Sequence, residues 1–398
     1  MNPLLVPHLP RLREAASAEP IGLYLHVPFC KDRCTYCSFV STRNPQLRPA
    51  FVARLDEEIR AWGEALGQPA VDTIYLGGGT PSLLEIDELS RITDAARESF
   101  DVSGLMESTL EANPGDLDAD WLVSAREMGW DRISLGVQTL DDALLEELGR
   151  LHSSTQALEA VEAARHAGFR RISADLMVGV PGQRLASVID DAERLVALGV
   201  EHLSIYLLDL DKNCPMKARV SSGALKLPSD DDVADVFEAL QAALPDLGLE
   251  AYEISNYAVP GEESRHNTRY WERRPYLGLG PGAASQMAEW RWTETAAVRA
   301  WVEAGSAADS ASLAELETLS PAEALAETAM LGLRMQRGVD WVDVRRRAEA
   351  EGIVPLLRTW ERELEPLLLH SLLEKSGSRL RLTDRGRLLS NAVFRVFV

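Results

Sequence analysis

The feature that most constrains the fold is a repeated alternation of short apolar segments and longer amphipathic segments, from about residue 21 to residue 254. The apolar segments predict strands, and apolar residues at steps of three and four predict helices between them. Strands and helices that alternate over short connections require a parallel sheet. Because no dinucleotide-binding glycine pattern follows the first strand, the sequence favours a barrel-like sheet over an open doubly wound one.

A first strand leads into a cysteine-rich loop, and the later predicted strands cover residues 71–76, 106–112, 132–137, 171–178, 202–208 and 249–254. The predicted helices cover residues 49–67, 118–128, 141–148, 155–167, 186–198 and 231–244. We expect the helix after the second strand to begin at Ser82, with a capping box to Glu85, or at Pro81, with Thr80 as its cap.

Ligand-type residues stand at the carboxyl ends of the predicted strands. In chain order they are three cysteines, Gly78 to Thr80, Glu111 with Asn113, Gln138, Asp175, Tyr206, and Glu253 with Asn256. The carboxyl ends of parallel strands gather at one rim of a barrel, the face where barrel enzymes place their sites. The sequence therefore predicts one polar site at this rim.

Three of the four cysteines, Cys30, Cys34 and Cys37, form a C-x3-C-x2-C pattern in one loop. Three thiolates can hold three irons of a [4Fe–4S] cube and leave the fourth iron open to another ligand. Two other interpretations are a structural zinc site, with His26 or a distant residue as fourth ligand, and three unrelated buried thiols. The absence of a second cysteine pair counts against zinc, and the density of the thiols counts against chance.

The other rim residues also have structural interpretations. The GGGT sequence at 77–80 lacks the lysine of a P-loop, so it is either a plain tight turn or a loop that closely approaches an ammonium and a carboxylate of a ligand. Glu111 is either a solvated loop acid or an acceptor for ligand hydroxyl or ammonium groups. Arg150 and Asp175 are either a helix-end cation and a salt-bridge partner, or ligand-binding groups beside Gln138.

The chain has 398 residues, which is long enough for one large and one smaller domain. Its formal net charge of −21 argues against nucleic acid as the main partner. The cysteines do not resemble a disulfide framework, and the sequence contains neither a signal pattern nor an apolar run as long as a membrane span. We therefore expect a cytoplasmic protein without a transmembrane segment, and peripheral contact with a membrane stays open.

The cysteine spacing is similar to that of the radical S-adenosylmethionine (SAM) superfamily. Together with GGGTPS, EANPGD, GVQT, LGRLHS, DLMVGVPGQ, YEISNYA and SRHNTRYW, which follow in order, it resembles the oxygen-independent coproporphyrinogen III oxidase family. The resemblance implies a partial (β/α)6 barrel, a [4Fe–4S] cluster on Cys30, Cys34 and Cys37, and SAM on the open iron. In the superfamily, an electron from the cluster splits SAM to give a 5′-deoxyadenosyl radical; the sequence leaves open whether that happens here.

By the same resemblance, Tyr24, Gly78 and Glu111 would contact this SAM. A second group matches positions that line the place of a second SAM in the oxidase: Tyr36, Gly79, Thr80, Gln138, Arg150 and Asp175.

Within this family the sequence is closer to the HemW-type branch, whose members are described as heme chaperones. The oxidase has one more cysteine after its third cluster ligand and a longer segment before the loop, whereas Ser38 follows Cys37 here and 29 residues precede Cys30. The branch implies binding of heme and its delivery to heme-accepting proteins. Radical oxidative decarboxylation of coproporphyrinogen III is the alternative function.

The heme candidates lie in the SRHNTRYW segment and are His266, Asn267, Tyr270 and Trp271. A histidine imidazole can ligate heme iron, and the two aromatic rings offer flat apolar contact to the macrocycle. The alternative is a hydrogen-bonded histidine in a segment that seals the open end of the barrel.

Three positions depart from the usual residues of this branch. Asp211 stands where glutamate is common, Cys214 where threonine is common, and Ala284 where histidine often appears. We interpret Cys214 as a structural thiol. The absence of histidine at position 284 leaves His266 as the better candidate for a heme ligand.

From about Thr293 the pattern changes to Ala- and Glu-rich helices with a flexible link at 306–312, followed by a hairpin at 372–382 and a helix capped by Thr383. We expect a lead segment over residues 1–20, a barrel with its closing segment over 21–292, and a winged-helix-like domain over 293–398. Basic residues in this last domain leave a nucleic-acid-binding module as a less favoured alternative. Packing against the barrel or contact with a heme acceptor is the favoured role.

Overall fold

The computed structural model describes residues 4–210, 214–304 and 313–398. Asp211 and the predicted link at 306–312 lie outside these ranges. Within them, a 12-stranded sheet and its helices enclose the larger hydrophobic core, and a three-stranded sheet with further helices encloses a second core.

The first six strands of the described chain are parallel and pair in chain order. They are β1 (Ile21–Val27), β2 (Val71–Gly78), β3 (Glu107–Ala112), β4 (Arg132–Gln138), β5 (Arg171–Val178) and β6 (His202–Leu207). Beyond β6 the sheet continues with an antiparallel pair, β7 (Glu250–Ala251) and β8 (Asn256–Ala258). Beyond β1 it continues with β9 (Tyr276–Leu279), β10 (Ala284–Met287), β11 (Trp290–Glu294) and β12 (Leu313–Thr318). Of these, β9 is parallel to β1, and the other three are antiparallel to their neighbours.

Helices connect the parallel strands and cover the outside of the sheet. In chain order they are α1 (Leu9–Ala18), α2 (Arg48–Leu66), α3 (Ile86–Ser99), α4 (Ala119–Glu127), α5 (Asp142–Glu147), α6 (Ser154–His166), α7 (Leu185–Ala197), α8 (Pro215–Ser221), α9 (Asp230–Ala243), α10 (Arg265–Trp271) and α11 (Val298–Glu303). Parallel strands in chain order, joined by helices and not closed into a ring, form the partial (β/α)6 barrel that the family resemblance implies.

The apolar spacing of α2 explains how the helix layer attaches to the sheet. Phe51, Leu55, Ile59 and Trp62 recur at steps of three and four, and all four side chains are buried. Burial of each such side chain stabilises the fold by about 1.5–3 kcal/mol. The predicted helix is therefore confirmed, and its buried stripe holds it against the sheet.

Three predictions of elements were wrong. α3 begins at Ile86, with its capping box between Glu85 and Glu88, because Pro81–Leu83 forms a separate 3-10 turn after Thr80. The segment 249–254 is not a further parallel strand, since only β7 forms there and it pairs antiparallel with β8. The strands β10 to β12 lie in a stretch where no strand was predicted. The side chains of β12 are largely exposed, so its sequence lacks the apolar periodicity that would indicate a strand.

The second core belongs to the C-terminal elements: α12 (Pro321–Arg334), β13 (Val339–Asp340), α13 (Trp341–Ala350), α14 (Val354–Leu369), β14 (Leu373–Ser376), β15 (Arg379–Leu382), α15 (Asp384–Leu388) and α16 (Ser390–Phe394). Leu325, Ala329 and Leu333 form one buried face of α12, as their spacing predicts. The predicted hairpin turns between β14 and β15, and the Thr383 hydroxyl accepts a 3.0 Å bond from the Gly386 amide at the start of α15. These elements form the expected mainly helical, winged-helix-like unit.

Both β11 and β12 belong to the main sheet, so this sheet continues past Thr293. The domain boundary placed at residue 293 stays a prediction. None of the helices in the described ranges combines the length and the hydropathy that a membrane span requires.

Candidate functional site

The carboxyl ends of the parallel strands meet at a cavity of about 310 Å³, which we call the rim cavity. Eleven of the residues predicted to bind the cluster or SAM line it: Cys30, Cys34, Tyr36, Cys37, Gly78, Gly79, Thr80, Glu111, Gln138, Arg150 and Asp175. Tyr24 is not in the lining, and its hydroxyl lies 2.9 Å from Nδ1 of His26. The structure therefore brings together residues from five strand ends that are far apart in sequence.

The cysteine loop after β1 is held in place by backbone hydrogen bonds to two other segments. The Cys30 amide donates to the Thr42 carbonyl at 3.1 Å, and the Thr35 amide donates to the Leu148 carbonyl at 3.0 Å. All three cysteines are partly exposed and unpaired. The fixed backbone orients a set of accessible thiols at the edge of the rim cavity.

The zinc interpretation lacks the fourth ligand that the sequence offered for it. In the described ranges, no three His, Cys, Asp or Glu side chains are arranged to hold one metal ion. In a [4Fe–4S] cube each cysteine binds a different iron, so the three sulfurs stand farther apart than ligands of one zinc ion. His26, the possible fourth zinc ligand, has its ring nitrogens bonded to the Tyr24 hydroxyl and the Val40 carbonyl, each at 2.9 Å.

A chain of hydrogen bonds joins two of the thiols to neighbouring strand ends. Arg150 donates through Nη1 to Cys34 Sγ at 3.5 Å and through Nη2 to Asn113 Oδ1 at 2.6 Å. The side-chain amide of Asn113 donates through Nδ2 to the Thr80 hydroxyl at 2.9 Å, and that hydroxyl donates to Cys30 Sγ at 3.7 Å. Arg150 is therefore part of the site rather than a free helix-end cation. The sequence predicts Asn113 at the rim, but motif spacing does not indicate this linking role.

Burial raises the pKa of the Cys30 and Cys37 thiols, and the neighbouring thiols raise it further. Thiolates at this place therefore need positive charge close by. Arg150 supplies one such charge beside Cys34. The irons of a cluster would supply the rest, so the donor set fits this group.

The glycine turn after β2 packs directly on the cysteine loop. A side-chain carbon at Gly78, where φ is +110°, would lie 2.4 Å from the His26 ring, and one at Gly79 would lie 2.7 Å from the Phe29 carbonyl oxygen. The Gly78 amide donates to Glu111 Oε2 and the Gly79 amide donates to the Val27 carbonyl, both at 2.8 Å. Because both amides have partners within the protein, backbone contacts from these two glycines to a ligand would use their carbonyl groups.

The Glu111 carboxylate, which lines the rim cavity, is held by two hydrogen bonds. The Tyr75 hydroxyl donates to its Oε1 at 2.7 Å, and the Gly78 amide donates to its Oε2. Burial raises the pKa of the Glu111 carboxyl, although both hydrogen bonds favour its charged form. Glu111 is thus a fixed, partly desolvated acceptor and not a solvated loop acid. Tyr75 was missed at the level of sequence, although it precedes Gly77 by two residues on the same face of β2.

Asp175 and Gln138 also line the rim cavity. Asp175 has a raised pKa, and Gln138 has an unfavourable backbone conformation. Burial, together with the charge of Glu111, raises the pKa of Asp175 to about 7. Gln138 has φ of +70°, a left-handed conformation that costs a non-glycine residue about 1–3 kcal/mol. Strain of this kind concentrates at ligand-binding positions.

The heme candidates occupy a different environment, on α10. Glu107 accepts hydrogen bonds from the amides of Arg265 and His266, both at 3.0 Å, and so fixes the start of the helix. His266 is fully buried, with Nδ1 2.9 Å from the Thr73 hydroxyl and Nε2 2.8 Å from the Tyr270 hydroxyl. Burial lowers the pKa of His266 to about 3. This geometry favours the interpretation as a hydrogen-bonded histidine, because neither ring nitrogen is free for iron.

Helix α10 connects the barrel interior to the C-terminal unit. The His266 ring stacks on Tyr75, with 5.2 Å between ring centroids, and Tyr75 in turn holds Glu111. At the other end of the helix, the guanidinium of Arg334 lies 4.3 Å from the centre of a Trp271 ring. Asn267 is partly exposed, and its amide donates to the Ser264 hydroxyl at 3.3 Å. The segment therefore contributes to the wall and interior of the barrel.

Comparison with known proteins places these features in a family. A family model of the radical SAM superfamily matches residues 24–195, and one of the HemN C-terminal domain matches residues 319–389. The heme chaperone HemW of Lactococcus lactis subsp. lactis (strain IL1403) is 34% identical over 96% of this chain and 98% of that protein. The heme chaperone HemW of Bacillus subtilis (strain 168) is 33% identical over 94% of this chain and 98% of that protein.

Among solved structures, coproporphyrinogen III oxidase (HemN) from Escherichia coli superimposes with a TM-score of 0.84 and 21% identity, over 98% of this chain and 92% of that one. This likeness concerns the fold alone. Membership of the radical SAM superfamily implies a [4Fe–4S] cluster and SAM. The identity to the two chaperones extends over nearly the whole of both chains, and the chain therefore belongs to the HemW family of the radical SAM superfamily.

Proposed function

We propose that this protein binds a [4Fe–4S] cluster through Cys30, Cys34 and Cys37, binds SAM beside it, and carries heme to acceptor proteins. The observation that carries the proposal is the identity to heme chaperones over nearly the full length of both chains. In the oxidase a further cysteine follows the third cluster ligand, whereas Ser38 follows Cys37 here. This difference also favours a chaperone over an oxidase.

At the rim, each side chain would have a distinct task. Arg150 would offset thiolate charge at Cys34, and the chain through Asn113 and Thr80 would fix the geometry between that thiol and Cys30. Glu111, already oriented by Tyr75, would accept hydrogen bonds from the ammonium or ribose hydroxyls of SAM. When bound, the cluster and SAM supply one-electron chemistry.

Heme transfer is the experiment that tests the proposal. Purified protein, reconstituted with iron and sulfide under nitrogen and loaded with hemin, is mixed with the apo-form of a heme b protein from the same organism and followed through the Soret band. Carrier-mediated delivery predicts a transfer rate that rises with acceptor concentration. A rate that equals simple heme dissociation and does not change with acceptor concentration would argue against a chaperone.

Apomyoglobin serves as the matched passive acceptor, because it captures heme that has already dissociated. Incubation with coproporphyrinogen III, SAM and reductant, followed by chromatography, tests the oxidase alternative. Protoporphyrinogen formed over many turnovers would replace the proposed function with catalysis.

A further inference from the structure

The C-terminal unit carries a groove of about 400 Å³, which we call the C-terminal groove. Six of its eleven lining residues belong to α13 and α14, and the others belong to the β14–β15 hairpin. The groove shares no described lining residue with the rim cavity, which has a volume of about 310 Å³. It is therefore a separate site, and neither the cluster nor SAM accounts for it.

One part of the lining is apolar and only partly covered. Leu364 and Leu380 are buried, whereas Trp341 and Leu368 are half-buried. Val342 is 64% exposed. An exposed aliphatic side chain beside a concave surface of leucine and tryptophan marks a place where another molecule can exclude water. Protein partners bind such places by inserting a few apolar anchor side chains.

The rest of the lining is mainly cationic. Glu361 is the one acid among the described lining residues. It already accepts hydrogen bonds from Trp341 Nε1 at 3.2 Å and from Arg345 at 2.5 Å. Lys375 and Arg379 are exposed, and within the described ranges neither forms an ion pair. These two cations are therefore available to the carboxylates of an incoming partner.

The C-terminal groove lies on a part of the chain that differs in charge from the rest. Residues 319–398 contain 13 lysines and arginines and 11 acids, so they carry a formal charge of +2. The whole chain carries −21, which leaves −23 for residues 1–318. An acidic protein is repelled by this larger part and meets no net repulsion at the C-terminal unit. Charge complementarity therefore favours an acidic partner for the groove.

The C-terminal unit is firmly attached to the barrel, so a partner in the groove is held in a fixed position. Arg334 of α12 pairs with Glu253 at 2.7 Å, and the Gln336 amide donates to the Tyr252 carbonyl at 2.9 Å. Because Glu253 is buried, this ion pair is not a loosely held surface contact.

We propose that the C-terminal groove docks an acidic amphipathic helix of the heme acceptor, with apolar side chains in the groove and carboxylates against Lys375 and Arg379. Walls built from the side chains of two helices receive such a helix by its apolar face, without pairing of backbone groups. A flat membrane fits a concave groove poorly, and the phosphates of a nucleic acid would leave the apolar lining uncovered. The inference rests on the proposed function, because it names the surface that recognises the acceptor.

Fluorescence anisotropy with a short labelled peptide tests the groove without the acceptor. The peptide is an amphipathic helix with leucines at steps of three and four and glutamates between them, and a second peptide has lysine in place of every glutamate. We expect the full-length, reconstituted protein to bind the acidic peptide saturably, with an affinity that falls as the salt concentration rises. Equal binding of both peptides, or no saturable binding of the acidic one, would overturn the proposal.

Two variants of the groove should weaken binding of the acidic peptide about tenfold or more. Val342→Asp and Lys375→Glu each place a negative charge against the glutamates of the peptide. Leu389→Asp and Arg385→Glu are the matched controls, because both positions are exposed and lie outside the groove lining. The controls should bind the peptide as the wild type does. Wild-type affinity in both groove variants would contradict the proposal.

The heme-transfer assay with the apo-form of the heme b protein connects the groove to function. Val342→Asp and Lys375→Glu should lower the acceptor-dependent transfer rate about tenfold, and transfer to apomyoglobin should not change. Iron content, hemin binding and melting temperature should equal those of the wild type in both variants, which excludes misfolding as the cause of a lower rate.

The outcomes separate the groove from the function. Acceptor-dependent transfer at the wild-type rate in both groove variants would overturn the groove and leave the chaperone function standing. A wild-type rate that does not depend on the acceptor would overturn the function, and with it the acceptor as the occupant, even if the acidic peptide binds.

Other occupants have their own signatures in the same two variants. With transfer unaffected, each of three losses would reassign the groove to another occupant and overturn the proposal. They are lost sedimentation with phosphatidylglycerol vesicles for a membrane, lost self-association in light scattering for a second copy, and a lost gel shift of duplex DNA for a nucleic acid.

Discussion

The carboxyl rim and helix α10 both carry polar residues in recognisable motifs, but the two regions use them differently. At the rim, three thiols are unpaired, Asp175 has a raised pKa, and Gln138 adopts a strained conformation around an open cavity. On α10, His266 is fully buried with both ring nitrogens bonded. A motif can receive a ligand where its side chains line an open cavity, and it supports the fold where its side chains are fully buried and bonded only to other protein groups.

This contrast leads to predictions for variants of each region. The largest effect is expected at the rim, where Cys34→Ser should abolish the cluster because two cysteines cannot replace three as ligands. Iron content after anaerobic reconstitution should fall from about four per chain to near zero. Cys214→Ser is the matched control, since this thiol is buried among apolar side chains and should not affect iron content. An intact cluster in the Cys34 variant would refute the assignment of the rim.

On α10 the expected effect is on stability. His266→Ala removes a buried ring and leaves the Thr73 and Tyr270 hydroxyls without partners, so it should lower the free energy of unfolding by about 2–5 kcal/mol. Denaturant titration measures this loss. His370→Ala, at an exposed histidine, is the control and should change little. Equal stability of both variants would contradict a supporting role for His266.

Glu111→Gln should weaken SAM binding while leaving the fold intact. The amide keeps the size of the side chain but removes the charge that an ammonium or ribose hydroxyl would use, at a cost of about 1.5–3 kcal/mol in binding. Anaerobic calorimetry on cluster-loaded protein measures the change, with the exposed Glu57→Gln as control. Wild-type SAM affinity in the Glu111 variant would exclude this carboxylate from the binding site.

The smallest effect concerns the pH dependence of stability. The pKa of Asp175 is about 7 in the folded protein and about 3.9 in an unfolded chain, so between these values only the unfolded state loses the proton. The contribution of this group to stability therefore falls as pH rises through the window, by about 1.4 kcal/mol between pH 5 and pH 6. Asp175→Asn should flatten the measured slope by this amount. An unchanged slope would show that Asp175 ionises normally.

The rim could be predicted from the sequence because two simple rules act together there. Alternating strands and helices require a parallel sheet, and a parallel sheet gathers its strand ends at one edge. Cys30, Glu111 and Asp175 could therefore be predicted at one rim although the contacts between them were unknown. The links made by Tyr75 and Asn113 depend on strand register and side-chain direction, which the spacing of motifs does not contain.

The environment of α10 was harder to predict for a related reason. His266 and Tyr270 are four residues apart and therefore lie on one face of α10, but whether that face meets the barrel interior or solvent is set by tertiary packing. Strands β10 to β12 were missed because short strands with mixed burial carry little periodic signal. Local pattern thus revealed the residues of both regions, and only packing distinguished the side chains that line an open cavity from those that are fully buried.

The most direct test of this contrast is hemin titration of reconstituted His266→Gln beside the wild type, with SAM affinity measured on the same samples. Glutamine can keep one of the two hydrogen bonds, so the variant should remain folded. If His266 supports the barrel, the variant will bind one heme with an unchanged Soret maximum and will retain SAM binding. Loss of heme binding or a shifted Soret maximum, with SAM affinity and melting temperature preserved, would make His266 the heme ligand and contradict the account.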